Sequence, residues 1–385
     1  MATDTFQDPG VHISWSEKLS LAVYLAFIIV PKAVVSATRA SLMALSRGLS
    51  PRLYLRCGVL GVALANLTPA QLQYVSNTSI YAYRSWAKSM AAKVSKVRGR
   101  RDKTVQLDSL VATEIQSLPD GRSSILWMGD RKKATKYVLF LHGGGYVAPL
   151  MRGHLEWCWR VFVEPHVSTF NEIAVAILDY TLCPHAQFPT QLRQAVDALQ
   201  FLLSTGVRPD QILVGGDSAG GNLTAHLLSH LARPDTAQAP AVQIDQPLRG
   251  AFLVSPWMSP DTTHRSMIDN HGIDMLAATH IQDASRNFYG EGPAMTDMLD
   301  EKTYPFEGID AVISDVYVTA GQQEVLRDQA VVLVDRLRQR NPNLPIRLEV
   351  ANDEAHDFIL LEGEEHRTGS AMERMKAWSK DLIQG

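Results

Sequence analysis

Gly216-Asp217-Ser218-Ala219-Gly220-Gly221 follows the apolar run Ile212-Leu213-Val214 and opens into the helical pattern Asn222 to Leu228. A strand that ends in Gly-x-Ser-x-Gly and turns sharply into a helix exposes the serine hydroxyl at the tip of a strained bend, where it can attack an acyl carbon. Small neighbours at 216 and 220 let the backbone approach closely, and the Ala219 N–H lies at a helix N-terminus, where oriented amides stabilise a developing oxyanion. The chemistry these residue types point to is nucleophilic acyl transfer.

Upstream, the apolar strand Tyr137-Val138-Leu139-Phe140-Leu141 runs into His142-Gly143-Gly144-Gly145-Tyr146. Three consecutive glycines let main-chain N–H groups turn toward a ligand with no Cβ in the way, and Gly143 and Gly144 are the expected further oxyanion donors beside Ala219. With these two motifs in this order, the chain resembles the hormone-sensitive-lipase-like branch of the α/β-hydrolases, over roughly residues 106 to 385. That resemblance implies a carboxylesterase on an α/β-hydrolase fold: a mostly parallel sheet flanked by helices, with a helical cap from the N-terminus and an insert.

A serine nucleophile in this fold needs an acid and then a base, in that chain order. The strand Val316 to Ala320 leads into Gly321-Gln322-Gln323-Glu324-Val325-Leu326-Arg327-Asp328. Similarity to the family's segment after this strand places the carboxylate on Glu324. The family more often has Asp there, with one residue fewer after the glycine, and Asp328 is the alternative acid. His356 follows the strand Ile346 to Val350 and stands in Glu354-Ala355-His356-Asp357-Phe358, similar to the family's His-x-Phe. Of the 12 histidines it alone has the right chain order and strand context.

The elements that must position these groups are legible upstream and downstream. Strands are expected at 111–115, 124–127, 138–141 and 173–178, a helix at 191–203, and a buried strand at 250–257. Alternation of apolar strands with helices argues a sheet covered on both faces. Trp257 to Pro305 lacks clean periodicity and holds Met258, Met267, Met275, Met295 and Met298 with Phe288 and Tyr289, which marks a functional insert, about 258–305, that adapts to a bulky ligand. Residues 1–105 are expected to form a hydrophobic segment and cap helices, with helices broken at Ser50-Pro51 and Thr68-Pro69, and 106–385 the catalytic domain. The basic run Lys93 to Lys103 reads as the exposed link between them.

Leu19 to Val30 is an almost wholly apolar run of 12 residues ended by Pro31-Lys32. Alone it is too short for a bilayer, which takes about 20 residues, but it becomes a marginal, kinked span if the proline is tolerated. The bland alternative is a helix packed on the domain. The expected location is a membrane, that of the endoplasmic reticulum, with the cytoplasm as the alternative.

With 385 residues, 46% hydrophobic, the chain can bury a large core, and its formal net charge of −3 gives no footprint for nucleic acid. Cys57, Cys158 and Cys183 are odd in number and far apart, so neither a disulfide framework nor a zinc site is expected. His226 and His230, at helical spacing, lack a third ligand and read as packing residues. No metal or organic cofactor is expected. The expected partner is a small lipophilic ester, bearing an acetyl or short acyl group, as in fungal esterases that deacetylate sterols or tailor secondary metabolites. Acyl transfer to an alcohol remains open on the same site. A hormone receptor is the reading from another class, since family members of that kind have lost the base; His356 argues against it.

Overall fold

The computed structural model describes residues 13–98, 107–167, 172–290, 297–300, 304 and 306–384. Met295, residues 1–12 and residues 99–103 of the basic run lie outside them.

Apolar residues at helical spacing dominate the first hundred positions. They form α1 (Trp15–Tyr24) and α2 (Val30–Ser46), joined without a break by one wide π turn at Leu25–Ile29, then α3 (Pro51–Asn66), α4 (Pro69–Val75) and α5 (Ser79–Arg98). α3 and α4 begin at the breaks read from the sequence, and Pro51 and Pro69 occupy first-turn positions where the missing N–H costs nothing. Of the two readings of Pro31, an interruption or a tolerated proline, the structure has the second. The Pro31 ring cannot donate and crowds the carbonyl four residues back. The widened turn immediately before it, in which the Val30 N–H reaches back to the Leu25 carbonyl, absorbs the misfit. The result is one helix of 32 residues, Trp15–Ser46, long and apolar enough to cross a membrane.

The sheet has eight strands, β1 (Glu114–Ser117), β2 (Ser124–Met128), β3 (Lys136–Leu141), β4 (Ile173–Asp179), β5 (Ile212–Asp217), β6 (Gly250–Val254), β7 (Val316–Gly321) and β8 (Ile346–Ala351). Their order is β1-β2-β4-β3-β5-β6-β7-β8. Pairings are antiparallel at the β1 edge and parallel from β4 through β8. Two strand boundaries differ from the sequence reading. Residues 107–111 form a short 3-10 turn, so β1 starts at Glu114, and β6 stops at Val254 because Ser255 takes φ 45°.

Because successive strand residues face opposite sides, the parallel strands are apolar on both. Leu139, Leu141 and Val214 meet α7 (Thr190–Ser204), α8 (Ser218–Ala232) and α11 (Arg327–Arg340) through Leu199, Leu223 and Leu333. Val138, Phe140 and Leu213 face the other way, onto α5, α6 (Arg152–Cys158) and α13 (Ser370–Gln384), through Trp86, Trp157 and Met372. Between β6 and β7 the chain makes α9 (Arg265–Asp269) and α10 (Ala278–Tyr289), and α12 (Phe358–Glu364) follows β8. Ala40, Ala44, Tyr54 and Cys57 of α2 and α3 pack with Ile273, Met275, Ala355 and Phe358, so the N-terminal helices rest against the segments around His356.

Candidate active site

Ser218 stands where β5 ends and α8 begins, with φ 48°. The bend is this tight because the Leu141 carbonyl runs under it. A Cβ at Gly216 would lie 1.7 Å from that oxygen and one at Gly220 1.8 Å from it, so no other residue fits at either position. The Ser218 carbonyl accepts the Trp257 N–H at 3.1 Å, which ties the elbow to the end of β6.

His356 comes from the loop after β8, fully buried, with Nε2 3.0 Å from Ser218 Oγ. Glu324 comes from the loop after β7 and is also buried. Its Oε2 accepts Ser255 Oγ–H at 2.6 Å and Gly321 N–H at 2.9 Å. Glu324 Oε1 and His356 Nδ1 are both buried and both without a hydrogen-bond partner. Burial raises the Glu324 carboxyl to about 8, against the pull of His356. Burial works to lower the His356 imidazole, but the charges of Asp357, Glu324 and Asp274 outweigh it and hold the ring at about 10.

Asp328 lies elsewhere. Its Oδ2 accepts the Ser266 N–H at 2.8 Å and its Oδ1 pairs with Arg327, so it pins the insert to the start of α11.

The glycine loop needs one correction. The Gly143 N–H donates to Asp217 Oδ1 at 3.0 Å and is therefore turned away from any oxyanion. A Cβ there would meet Asp217 Oδ2 at 2.1 Å, so Gly143 serves the close approach of the carboxylate beneath the elbow. Among the described residues, the N–H groups of Gly144, Gly145 and Ala219 have no acceptor. Gly144 at φ 106° and Gly145 at φ 61° set the direction of this loop. Three glycines in a row carry no mark of which N–H is left without an acceptor, and the Gly145 N–H has no signal of its own in the sequence.

Asp217 also receives His154 Nε2 at 3.1 Å, both side chains buried. His154 is held up by the Asp217 charge against its burial, and Asp217 is held down by His154 against its own. Asp357, next to the base and at φ 52°, places Oδ2 3.0 Å from the same His356 Nε2 that faces the serine. Nothing in the sequence pattern distinguishes this aspartate from a surface residue; its left-handed backbone turns it inward.

The remaining histidine pair is packing. His226 lies between Tyr304 and Tyr289, with ring nitrogens 2.9 and 3.0 Å from their hydroxyls, and His230 Nε2 lies 2.9 Å from the Pro240 carbonyl. No group of side chains suited to a metal ion occurs among the described residues. All three cysteines are buried and free.

A parallel sheet with the serine elbow at the carboxyl end of its fifth strand and the histidine after its eighth is the arrangement of an α/β-hydrolase. The family model for the alpha/beta hydrolase fold matches residues 138–360, and the chain belongs to this family. Its relatives include an ethyl acetate hydrolase of Pseudomonas putida, 27% identical over 58% of this chain and 66% of the relative. Another is the carboxylesterase/phospholipase LipF of Mycobacterium tuberculosis, 31% identical over 59% of this chain and 57% of the relative. The match thus spans less than two thirds of these relatives' own length. Among solved structures, an esterase from the bacterial hormone-sensitive lipase family superposes with a TM-score of 0.57 at 23% identity, covering 87% of this chain and 99% of that one. The resemblance read from the two glycine motifs stands.

Proposed function

We propose that this chain is a serine carboxylesterase that cleaves an acetyl or short acyl ester of a lipophilic small molecule through an acyl-enzyme. The observation that carries the reading is the 3.0 Å approach of His356 Nε2 to Ser218 Oγ at a strained elbow. His356 takes the hydroxyl proton as Ser218 attacks the ester carbon, and the buried Glu324 carboxylate favours the resulting imidazolium. The N–H groups of Gly144, Gly145 and Ala219 receive the oxyanion. Collapse releases the alcohol, which leaves with the proton from His356, and water activated by the same ring then hydrolyses the acyl-serine. The names of the relatives, an ethyl acetate hydrolase and a carboxylesterase, favour this reaction class.

A hollow of about 480 Å³ lies between the N-terminal helices and the loop after the glycines, lined by Val59, Leu60, Val75 and Tyr81 together with Arg56, Arg152 and Glu364. Membrane association is favoured by the helix Trp15–Ser46, whose Trp15, Leu19, Phe27, Val34, Val35 and Leu42 are well exposed. That helix is also tied sideways: Tyr24 donates to the Asn66 carbonyl, Lys32 to the Asn66 side chain, and Arg47 to the Asp269 carbonyl. These ties fit a helix lying in the interface with its apolar face in lipid better than one standing across the bilayer.

The test is hydrolysis of p-nitrophenyl acetate. Ser218→Ala should lower kcat by about 10³-fold or more with an unchanged melting temperature, because only the nucleophile is lost. Residual activity within tenfold of the wild type would remove the serine mechanism.

A further inference from the structure

The insert between β6 and β7 grips the loop that carries Glu324 through three side chains spaced four residues apart. Ser266 Oγ–H donates to the Val325 carbonyl at 2.6 Å. Asn270 Nδ2 donates to the Gln322 carbonyl at 3.0 Å and to the Glu324 carbonyl at 2.9 Å. Asp274 Oδ2 accepts the Val325 N–H at 2.7 Å. Only Asp274 also reaches the other loop, where its Oδ1 accepts the His356 N–H at 3.3 Å beside that of Met275 at 2.6 Å.

A buried carboxylate is costly: burial pushes Asp274 above the usual carboxylate range, and the charge of His356 and three main-chain donors oppose it. Two of the three belong to the residue after the acid and to the base itself. We propose that Asp274 is a positioning residue, a carboxylate supplied by the insert that holds the Glu324 loop and the His356 loop in register through their main-chain N–H groups. The inference rests on the roles given above to Glu324 and His356. The two loops are already linked by the Gln323 N–H, which donates to the Glu354 carbonyl at 2.9 Å, and Asp274 adds a tie at Val325 and His356 themselves. It also adds a carboxylate by the imidazole, beside those of Asp357 and Glu324. The ionisable groups that face Asp274 are Glu324 and His356 on the two loops and Cys57 and Tyr54 on α3, and His356 is the one whose charged form it favours.

The variants to compare on the full chain are Asp274→Asn, Asp274→Glu and Asn270→Ala, by kcat, KM and the pH dependence of kcat/KM on p-nitrophenyl acetate, with melting temperature alongside. Asp274→Asn turns one acceptor into a donor facing an N–H and removes the charge. Its kcat should fall about 10- to 100-fold with KM within about twofold, the size expected when reacting groups are misplaced. Its acid limb should move to lower pH, because a charge favouring the imidazolium is gone. Asn270→Ala should lower kcat while leaving that limb in place, and Asp274→Glu should do the same. A merely structural part would lower the melting temperature and leave the limb where it is.

Asp274→Asn with wild-type kcat, or with an unmoved limb, overturns the inference. If that variant does not fold, an Asp274→Glu enzyme as fast as the wild type overturns it instead. The failure of the underlying reading looks different: a wild-type chain that hydrolyses nothing removes both together.

Discussion

Ser218, His356 and Glu324 stand at the carboxyl ends of β5, β8 and β7, and the serine and the glutamate are held by different kinds of force. The serine is held by backbone strain, at φ 48°, under a carbonyl that only glycine neighbours tolerate. Glu324 is held by two donors on Oε2, while Oε1 is buried without a hydrogen-bond partner. Glu324→Ala should therefore reduce kcat by about 10²-fold or more, as removal of a triad acid does. Asp328→Asn, which loosens only the Ser266 contact, should cost less than tenfold. The reverse ranking in steady-state kinetics would move the acid to Asp328. Beneath the elbow, the buried His154–Asp217 pair makes a separate, pH-dependent contribution to stability. His154 is raised from its ordinary 6.5, so its share is complete below that value and is lost as pH climbs through the folded one. Asp217 is lowered from 3.8, so its share is present above that value and is lost as pH falls through the folded one. Breaking such a pair leaves a lone buried charge, and His154→Asn should cost about 3–5 kcal/mol. The loss in melting temperature should be greatest between about pH 4 and 6.5 and should shrink in alkali; a loss independent of pH would contradict the ion pair.

Among the elements, α2 and α3 cross so closely that side chains are excluded at the contact. A Cβ on Gly58 would lie 2.5 Å from the Ala37 Cα and 2.6 Å from its nitrogen, both main-chain atoms that cannot swing aside. Gly58→Val should push the two helices apart and lower the melting temperature by several degrees, an overpacking cost of about 1–3 kcal/mol. Unchanged stability would mean that the two helices are not in contact in solution. This crossing shows what the sequence conceals. The strands β2 to β5 and the helix after the elbow were legible because apolar runs and helical periodicity mark them directly. At Pro31 the sequence leaves both an interruption and a tolerated kink open, and the π turn that decides for the second has no signature of its own. Likewise Ser266, Asn270 and Asp274 lie in a stretch whose lack of periodicity hid their shared spacing. Their common target became visible only when β7 and β8 brought two distant loops beside them.

For the whole molecule, the question is what the N-terminal helices do for a sheet that begins only at Glu114. Two functions are separable along α1 and α2. The part before Pro31 carries most of the exposed apolar surface, whereas Ala40 and Ala44 belong to the cluster that includes Met275, Ala355 and Phe358. Removing residues 1–30 should therefore shift the protein from the membrane pellet to the soluble fraction and leave p-nitrophenyl acetate hydrolysis within about twofold, because no group at the site is touched. A cut made beyond Ala44 should weaken hydrolysis as well, by releasing the packing behind His356. A full-length chain that stays in the supernatant without detergent would remove the membrane reading altogether. The order of the site along the chain, serine, acid, base, was legible from the start because the fold dictates it. Which N–H groups of the glycine loop face inward was not, since that depends on Asp217 capturing the first of them.

Covalent capture at Ser218 tests the central claim most directly. A fluorophosphonate probe reacts with a serine only where a base takes its proton and an oxyanion site accepts the developing charge. The wild-type chain should gain one probe mass, located by peptide mapping on the segment holding Ser218, and labelling should quicken as pH rises above 6.5, the ordinary histidine value from which His356 is displaced upward. Ser218→Ala should gain none, and His356→Ala should label at least 100-fold more slowly, as removal of a triad base does. Probe mass on another residue, or none on a folded wild-type chain, would contradict the account.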